Sequence, residues 1–330
     1  MKTFYLGIDV SKAKLDVCLL LDETGQKRKS KQVSNHPTGF AELISWLLKQ
    51  GIEPKQLHVT LEATSVYHEA LAHALHDAGM KVCLANPAQV RAMAQSLGIR
   101  TKTDGVDSFL LARFGAVRQP QAWLPPAPEV QTLKNLLALQ EALMEDVQRQ
   151  RNRVEKAQRS RDPERVLRSL SRVLSTLHSE LDQLQQDIDN HINQHPALKQ
   201  DFELLTSIRA IGPKVGQTML VVMHTHAFQS AEQLASYVGL VPVQKQSGSS
   251  VLGRARLSKA GSPVLRAKLY MAAVVAIRHN SHVKALYERL RQKGKANMAA
   301  LGACMRKLVH LCFGVIKNRT PYDQNYLQTA

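Results

Sequence analysis

Three short stretches decide the fold: LGIDVSKAKLDV at residues 6–17, VTLEATSVY at 59–67 and TKTDGVDSFLLAR at 101–113. The first two read as apolar strands leading to an acid, Asp9 and Glu62. The third opens a helix with Asp104 and Asp107, whose spacing of three places both on one helical face. A sheet carrying such a helix would bring all four carboxylates to one point. Clustered carboxylates repel one another and are costly to keep ionised. A hard divalent cation with oxygen ligands relieves that cost, and Mg2+ at a phosphodiester is the common case. Each acid alone has a plainer reading: Glu62 as an exposed strand-end residue, and Asp104 and Asp107 as first-turn acids that favour the helix dipole. Their order along the chain, two strand acids and then a helical pair, matches the layout of a two-metal phosphodiester site.

The surrounding sequence supports an α/β domain. Residues 3–10 and 14–21 read as a hairpin turning at Ser11–Ala13, with a third strand near 29–34 and an amphipathic helix over Phe40–Lys49. Leu57–Leu61 is a strand, Tyr67–Ala78 a helix stopped by Gly79, Lys81–Ala85 a buried strand, and Pro87 starts another helix. Alternating strands and helices predict a layered fold, and the leading hairpin predicts a mixed rather than wholly parallel sheet, compatible with a ribonuclease-H-like arrangement. The glycine two residues before Asp9 allows another backbone to approach closely. GID also occurs in actin-like ATPases and sugar kinases, but the first 120 residues hold none of the glycine-rich phosphate loops those require.

The chain has 330 residues, 44% of them hydrophobic, enough for two or three domains. It shows no apolar run of a membrane span's length and no signal-peptide pattern at its start, so a cytoplasmic protein is expected. Cys18, Cys83, Cys304 and Cys312 lack zinc-binding spacing and read as reduced core thiols. The net charge is +17, and its distribution is uneven. From Val241 onward 16 Lys and Arg face two acids, Glu288 and Asp323, whereas positions 1–240 hold 28 basic and 25 acidic residues. A field that concentrated favours a polyanion such as nucleic acid.

The organisation read from sequence is a catalytic domain over 1–118, a proline-rich linker over 119–128, a coiled-coil dimerisation region over 129–198 and a basic, mainly helical domain over 199–330. Four prolines in QPQAWLPPAP exclude helix or central strand from the linker. Val166, Leu170, Val173, Leu177, Leu181, Leu184, Ile188 and Ile192 step by threes and fours, a heptad seam. The break at Arg161–Pro163 predicts two helical arms forming a hairpin. LLTSIRAIGPKVGQT over 204–218 resembles a helix–hairpin–helix, whose turn amides bind phosphate without reading bases. Val243–Leu257 reads as an exposed loop or hairpin, Pro263–Arg278 and Met298–Ile316 as helices. Candidate nucleic-acid contacts are Lys214, Lys245, Arg254, Arg256, Lys259 and Arg266. Ser247 opens the run SGSS beside several of them. A serine is a weak nucleophile unless oriented and deprotonated, arginines stabilise a phosphate under attack, and Ser249 or Ser250 are alternatives to Ser247.

The ordered pattern GID, LEAT, TKTDGVD, then the helical arms, then IGPKVG and GLVPVQKQSGSSVLGRARLSKAG, resembles the DEDD-type transposases of the insertion-sequence family one-ten, relatives of the Piv-type DNA invertases. The resemblance spans essentially the whole chain. It implies a RuvC-like domain whose acids Asp9, Glu62, Asp104 and Asp107 hold Mg2+, and a C-terminal domain whose nucleophile is Ser247. It further implies a covalent phosphoserine link to double-stranded donor and target DNA, exchange through a Holliday junction, and an active site composed from different protomers. A structured noncoding guide RNA would select the sites, and homodimers would pair into a tetramer. The sequence departs from the family pattern at Ser65 and Ala210, where glycines are usual. Two other readings stay open: a metal-only nuclease, resolvase or transposase in which Ser247 merely binds phosphate, and a non-enzymatic RNA- or junction-binding scaffold.

Overall fold

The computed structural model describes residues 2–22, 24–62, 66–101, 103–244, 246–247, 251–252 and 255–325, the pairs 246–247 and 251–252 by backbone alone. The chain forms two compact units, Met1–Pro125 and Pro126–Ala330.

The first unit contains β1 (Phe4–Val10), β2 (Lys14–Leu20), β3 (Arg28–Ser34), α1 (Pro37–Leu48), β4 (Leu57–Glu62), α2 (Glu69–Asp77), β5 (Lys81–Ala85), α3 (Pro87–Ser96) and α4 (Asp104–Arg118). Its five strands lie in the order β3-β2-β1-β4-β5; β1, β2 and β3 pair antiparallel, while β4 and β5 run parallel to β1. This is the mixed α/β sheet expected of a ribonuclease-H-like fold. Alternation along the strands divides the core. Leu6, Ile8, Leu15, Val17, Val59 and Leu61 pack with Phe40, Leu43 and Leu47 of α1 and Leu71 and Leu75 of α2. The opposite face carries α4. There Cys18 and Leu20 meet Ala112, and Gly7 and Thr60 lie under the helix.

The approach of α4 is close enough to exclude side chains. A Cβ at Gly7 would stand 2.0 Å from the Ser108 carbonyl oxygen and 2.2 Å from the Ala112 nitrogen, and one at Gly115 would stand 2.3 Å from Thr60 Oγ1. The helix therefore rests its backbone on β1, and its N-terminus lies at the end of β1 that bears Asp9. The segment after α4 also belongs to this unit. The Trp123 amide donates to Val82 O at 2.8 Å, and its indole packs edge-on to His73 and His76.

The second unit begins with two long helices, α5 (Pro128–Arg159) and α6 (Glu164–Gln194). They run antiparallel: Gln150 donates to Leu170 O, Gln140 to Gln185, and His191 pairs with Glu129 O. The seam anticipated along α6 changes character with position. Leu184, Ile188 and Ile192 are buried in one cluster with Val130 and Leu133 and the helices that follow, whereas Val166 and Val173 are 40% and 48% exposed.

Then come α7 (Pro196–Thr206), α8 (Pro213–Thr225), α9 (Ala231–Val238), four two-residue strands β6 (Pro242–Val243), β7 (Gln246–Ser247), β8 (Val251–Leu252) and β9 (Arg256–Leu257), and α10 (Pro263–His279), α11 (Ser281–Gln292) and α12 (Asn297–Asn318). The stretch read as a loop or hairpin is two pairings, β6 with β9 and β7 with β8. The anticipated apolar face of α10 (Leu265, Leu269, Ala272, Ala273 and Ala276) is buried. Against the expectation of no span-length apolar run, α12 has a mean hydropathy of 1.5 over an 18-residue window and is long and apolar enough to cross a membrane. Half of that window is buried within the protein, where Leu308, Val309 and Cys312 join the core of this unit.

The turn between α7 and α8 is held from behind by a polar cluster. Buried Asp201 accepts from Arg319 and from His224 at 2.8 Å, the Tyr322 amide donates to Ser207 Oγ at 2.8 Å, and Asn280 donates to Arg209 O. Within this turn Ala210 has φ +82°, a left-handed conformation that a Cβ disfavours by about 1–2 kcal/mol.

Two stability outcomes follow. Gly7→Ala should lower the denaturation midpoint, since lifting α4 off β1 is overpacking that costs about 1–3 kcal/mol, and chemical denaturation with circular dichroism measures it. Ala210→Gly should instead stabilise the protein by about 1 kcal/mol in the same experiment, because glycine accepts positive φ.

Candidate active site

The sheet and α4 bring the four sequence-selected acids into one electrostatic group. Asp9 is the penultimate residue of β1, two residues beyond Gly7 and hence on the same face. Glu62 ends β4, two residues beyond Thr60, again on the α4 face. Asp104 and Asp107 stand in the first turn of α4, whose N-cap Thr103 accepts a hydrogen bond from the Val106 amide. Their effect on Asp9 is direct. Half-burial first, then the charges of Asp107, Asp104, Glu62 and Asp16, push its carboxyl up to about 6 from the usual 3.8.

Asp16 was not among the acids picked from sequence. It lies directly opposite Asp9 in the β1–β2 pairing. It accepts from Gln32 Nε2 at 2.8 Å and faces Lys14 Nζ at 3.3 Å, and Lys14 in turn donates to Asp104 at 2.7 Å. The signal for this pair was present in the hairpin. Ser11 closes the turn by accepting from the Lys14 amide and donating to its carbonyl, which fixes the register setting Asp16 against Asp9. A groove of about 250 Å3 lined by Asp16, Ser30, Lys31, Gln32, Gly105 and Ser108 opens beside Asp16.

Among the described residues no three Asp, Glu, His or Cys side chains form a ready-made metal cage. The donor set nonetheless suits Mg2+. It consists of carboxylate oxygens whose mutual repulsion is expressed on Asp9, and Mg2+ retains waters and needs only one or two carboxylates. The thiols are ill suited to chemistry. All four are buried, and burial pushes Cys304 up to about 11 and Cys312 up to about 12.

In the second unit Ser247 lies in β7, paired with Val251 of β8. Lys245, Ser249, Ser250 and Arg254 lie outside the described residues. Lys214 is exposed at the start of α8, and Arg256 and Lys259 are exposed at and just after β9. Arg266 is half-buried, and its guanidinium donates to the backbone carbonyls of Gly261 and Val238. It therefore braces the chain around α9 and α10.

Comparison with known proteins places these features in context. A DEDD-type model described as "Transposase" matches residues 6–163, and the model "Transposase IS116/IS110/IS902 family" matches residues 202–288. The pilin gene-inverting protein of Moraxella lacunata is 35% identical over 98% of this chain and 99% of its own length, and that of Moraxella bovis is 34% identical over the same shares. An IS110 insertion-element protein of Streptomyces coelicolor is 27% identical over 48% of this chain and 38% of its own length. The solved structure of T. thermophilus RuvC in complex with a Holliday junction substrate aligns over 36% of this chain and 98% of its own, at 16% identity and a TM-score of 0.27.

The raised Asp9 carboxyl has a thermodynamic consequence. The folded protein holds this proton more tightly than the unfolded chain, so ionisation destabilises the fold as pH climbs from 3.8 through about 6. In chelator, Asp9→Asn should melt above the wild type at pH 7.5, and the gap should narrow as the pH falls to 5, as followed by calorimetry.

Proposed function

Since the chain belongs to the IS110 family of DEDD transposases and is an enzyme acting on DNA, we propose that it recombines DNA by phosphodiester exchange through Ser247. The Ser247 hydroxyl oxygen bonds to phosphorus while the bond to one DNA oxygen breaks. That oxygen leaves with a proton, and the chain keeps a phosphoserine ester. A DNA hydroxyl then attacks the ester and releases Ser247, so each phosphodiester broken is replaced by another as strands exchange through a Holliday junction. Asp9, Glu62, Asp104 and Asp107 are the residues that would hold Mg2+, which when bound supplies positive charge for a phosphate under attack. The observation that carries the acid half of the reading is geometric: Asp9 and Glu62 stand at the ends of the neighbouring strands β1 and β4, on the face covered by α4, whose first turn holds Asp104 and Asp107.

The basic C-terminal third supplies affinity without sequence information. On this reading Lys214, Lys245, Arg254, Arg256 and Lys259 contact phosphates, and Arg266 braces the chain at Val238 and Gly261, on either side of the last four. Specificity is then delegated to a structured guide RNA paired with donor and target DNA. The exposed Val166 and Val173 on α6, with Leu139 on α5, suit a dimer that assembles to a tetramer. A second reading rests on a distinct observation. The relatives that align along nearly the whole chain are named for inverting a pilin gene, while the insertion-element protein aligns over about half of it. The same exchange chemistry would serve inversion of a DNA segment.

Incubation with RNA, Mg2+ and substrate DNA, followed by a denaturing quench, tests the mechanism. A covalent protein–DNA band is expected from the wild type and is lost in Ser247→Ala. Recombination by Ser247→Ala would leave the metal-only reading, full activity in Asp9→Ala and Asp107→Ala would refute the acid centre, and a wild type that cleaves nothing would be a scaffold.

A further inference from the structure

Building on the acid-centre reading above, we propose that Lys14 is a built-in counter-ion of that centre, a positioning residue whose ammonium holds Asp104 and competes with the divalent cation for it. The argument starts from the pleat. Lys14 and Asp16 are two apart on β2 and share a face, and Asp16 is the register partner of Asp9. A line of contacts therefore crosses the sheet beside Asp9: Gln32 of β3 to Asp16 at 2.8 Å, Asp16 to Lys14 at 3.3 Å, and Lys14 to Asp104 of α4 at 2.7 Å.

The two ends of this line differ in freedom. The Asp16 side chain is 17% exposed, with one oxygen on Gln32 and the other on Lys14. It is the more buried of the two carboxylates that Lys14 touches, held on both oxygens, and so the seat of the lysine. Asp104 is 53% exposed and Lys14 43%. The Lys14–Asp104 contact is thus the more solvent-exposed of the lysine's two contacts and the one able to open. As a surface ion pair this contact would contribute little to stability, about 0–1 kcal/mol. Its position gives it a different effect, because a fixed positive charge touching one acid of a cation site lowers the site's affinity for any cation.

Titration calorimetry with Mn2+ on the chelator-stripped 330-residue chain reads this without requiring turnover. Lys14→Met should bind Mn2+ about tenfold more tightly than the wild type, the scale of removing one nearby charge in a partly solvated site. Lys14→Arg should bind like the wild type, since the charge stays. Asp9→Ala should abolish binding in either background. Binding by Lys14→Met that is equal to or weaker than wild type would overturn the counter-ion role, while loss in Asp9→Ala would leave the acid centre standing. Equal tightening in Lys14→Arg and Lys14→Met would overturn competition by charge. No binding by any of the proteins would overturn both readings, and binding by Lys14→Met alone would support the proposal in its strongest form. Melting curves in chelator establish that each variant is folded.

Discussion

Everything at the acid centre depends on the absence of a side chain at residue 7. The backbone of α4 approaches β1 until a single methyl group would collide with Ser108 O and Ala112 N. That depth sets the height of the helix N-terminus over the sheet, and so which charges act on Asp9. Gly115 repeats the device against Thr60 at the far end of the helix, so the helix is seated at two points. A helix resting on two glycine contacts is constrained in tilt as well as distance. Asp104 and Asp107 then need no loop of their own to be positioned, because the first turn of a seated helix presents them.

The second unit uses the opposite device. Where the first unit removes atoms to bring backbone together, the second fills the space behind the α7–α8 turn with polar side chains. Asp201, nearly fully buried, is matched by Arg319 and His224, and Tyr322 and Asn280 bind the turn at Ser207 and Arg209. A buried charge is tolerable only when paired and hydrogen-bonded, and these partners come from segments far apart in sequence. The strained Ala210 sits in the turn so enclosed.

Much of the first unit was legible because its signals are local. Alternating apolar runs gave the strands, Gly79 and Pro87 punctuated them, and two acids three residues apart behind Thr103 marked the start of α4. Asp9, Glu62, Asp104 and Asp107 could be named because each stands at the end of an element whose direction was readable. Asp16 and Lys14 were missed for a physical reason. Their importance comes from register, and register depends on the Ser11 turn and on cross-strand pairing, not on the composition of the strand itself. Trp123 was hidden similarly: a proline-rich stretch excludes helix, yet nothing local reveals that its amide will bond to Val82 O. Arg266 read as one more basic residue in a basic region, and only the fold shows its guanidinium spent on two backbone carbonyls.

The pairing of β1 with α4 also governs when the four acids come together. Asp9 emerges from the ribosome early, but the helix that crosses over it is separated from it by about a hundred residues, and β4 and β5 must add to the sheet in between. Contacts of such long range form late, after the loop entropy between them has been overcome. A nascent chain or an amino-terminal fragment lacking α4 therefore carries Asp9, Asp16 and Glu62 without Asp104 and Asp107. The same seating that gathers the four acids therefore leaves any chain without α4 lacking that cluster.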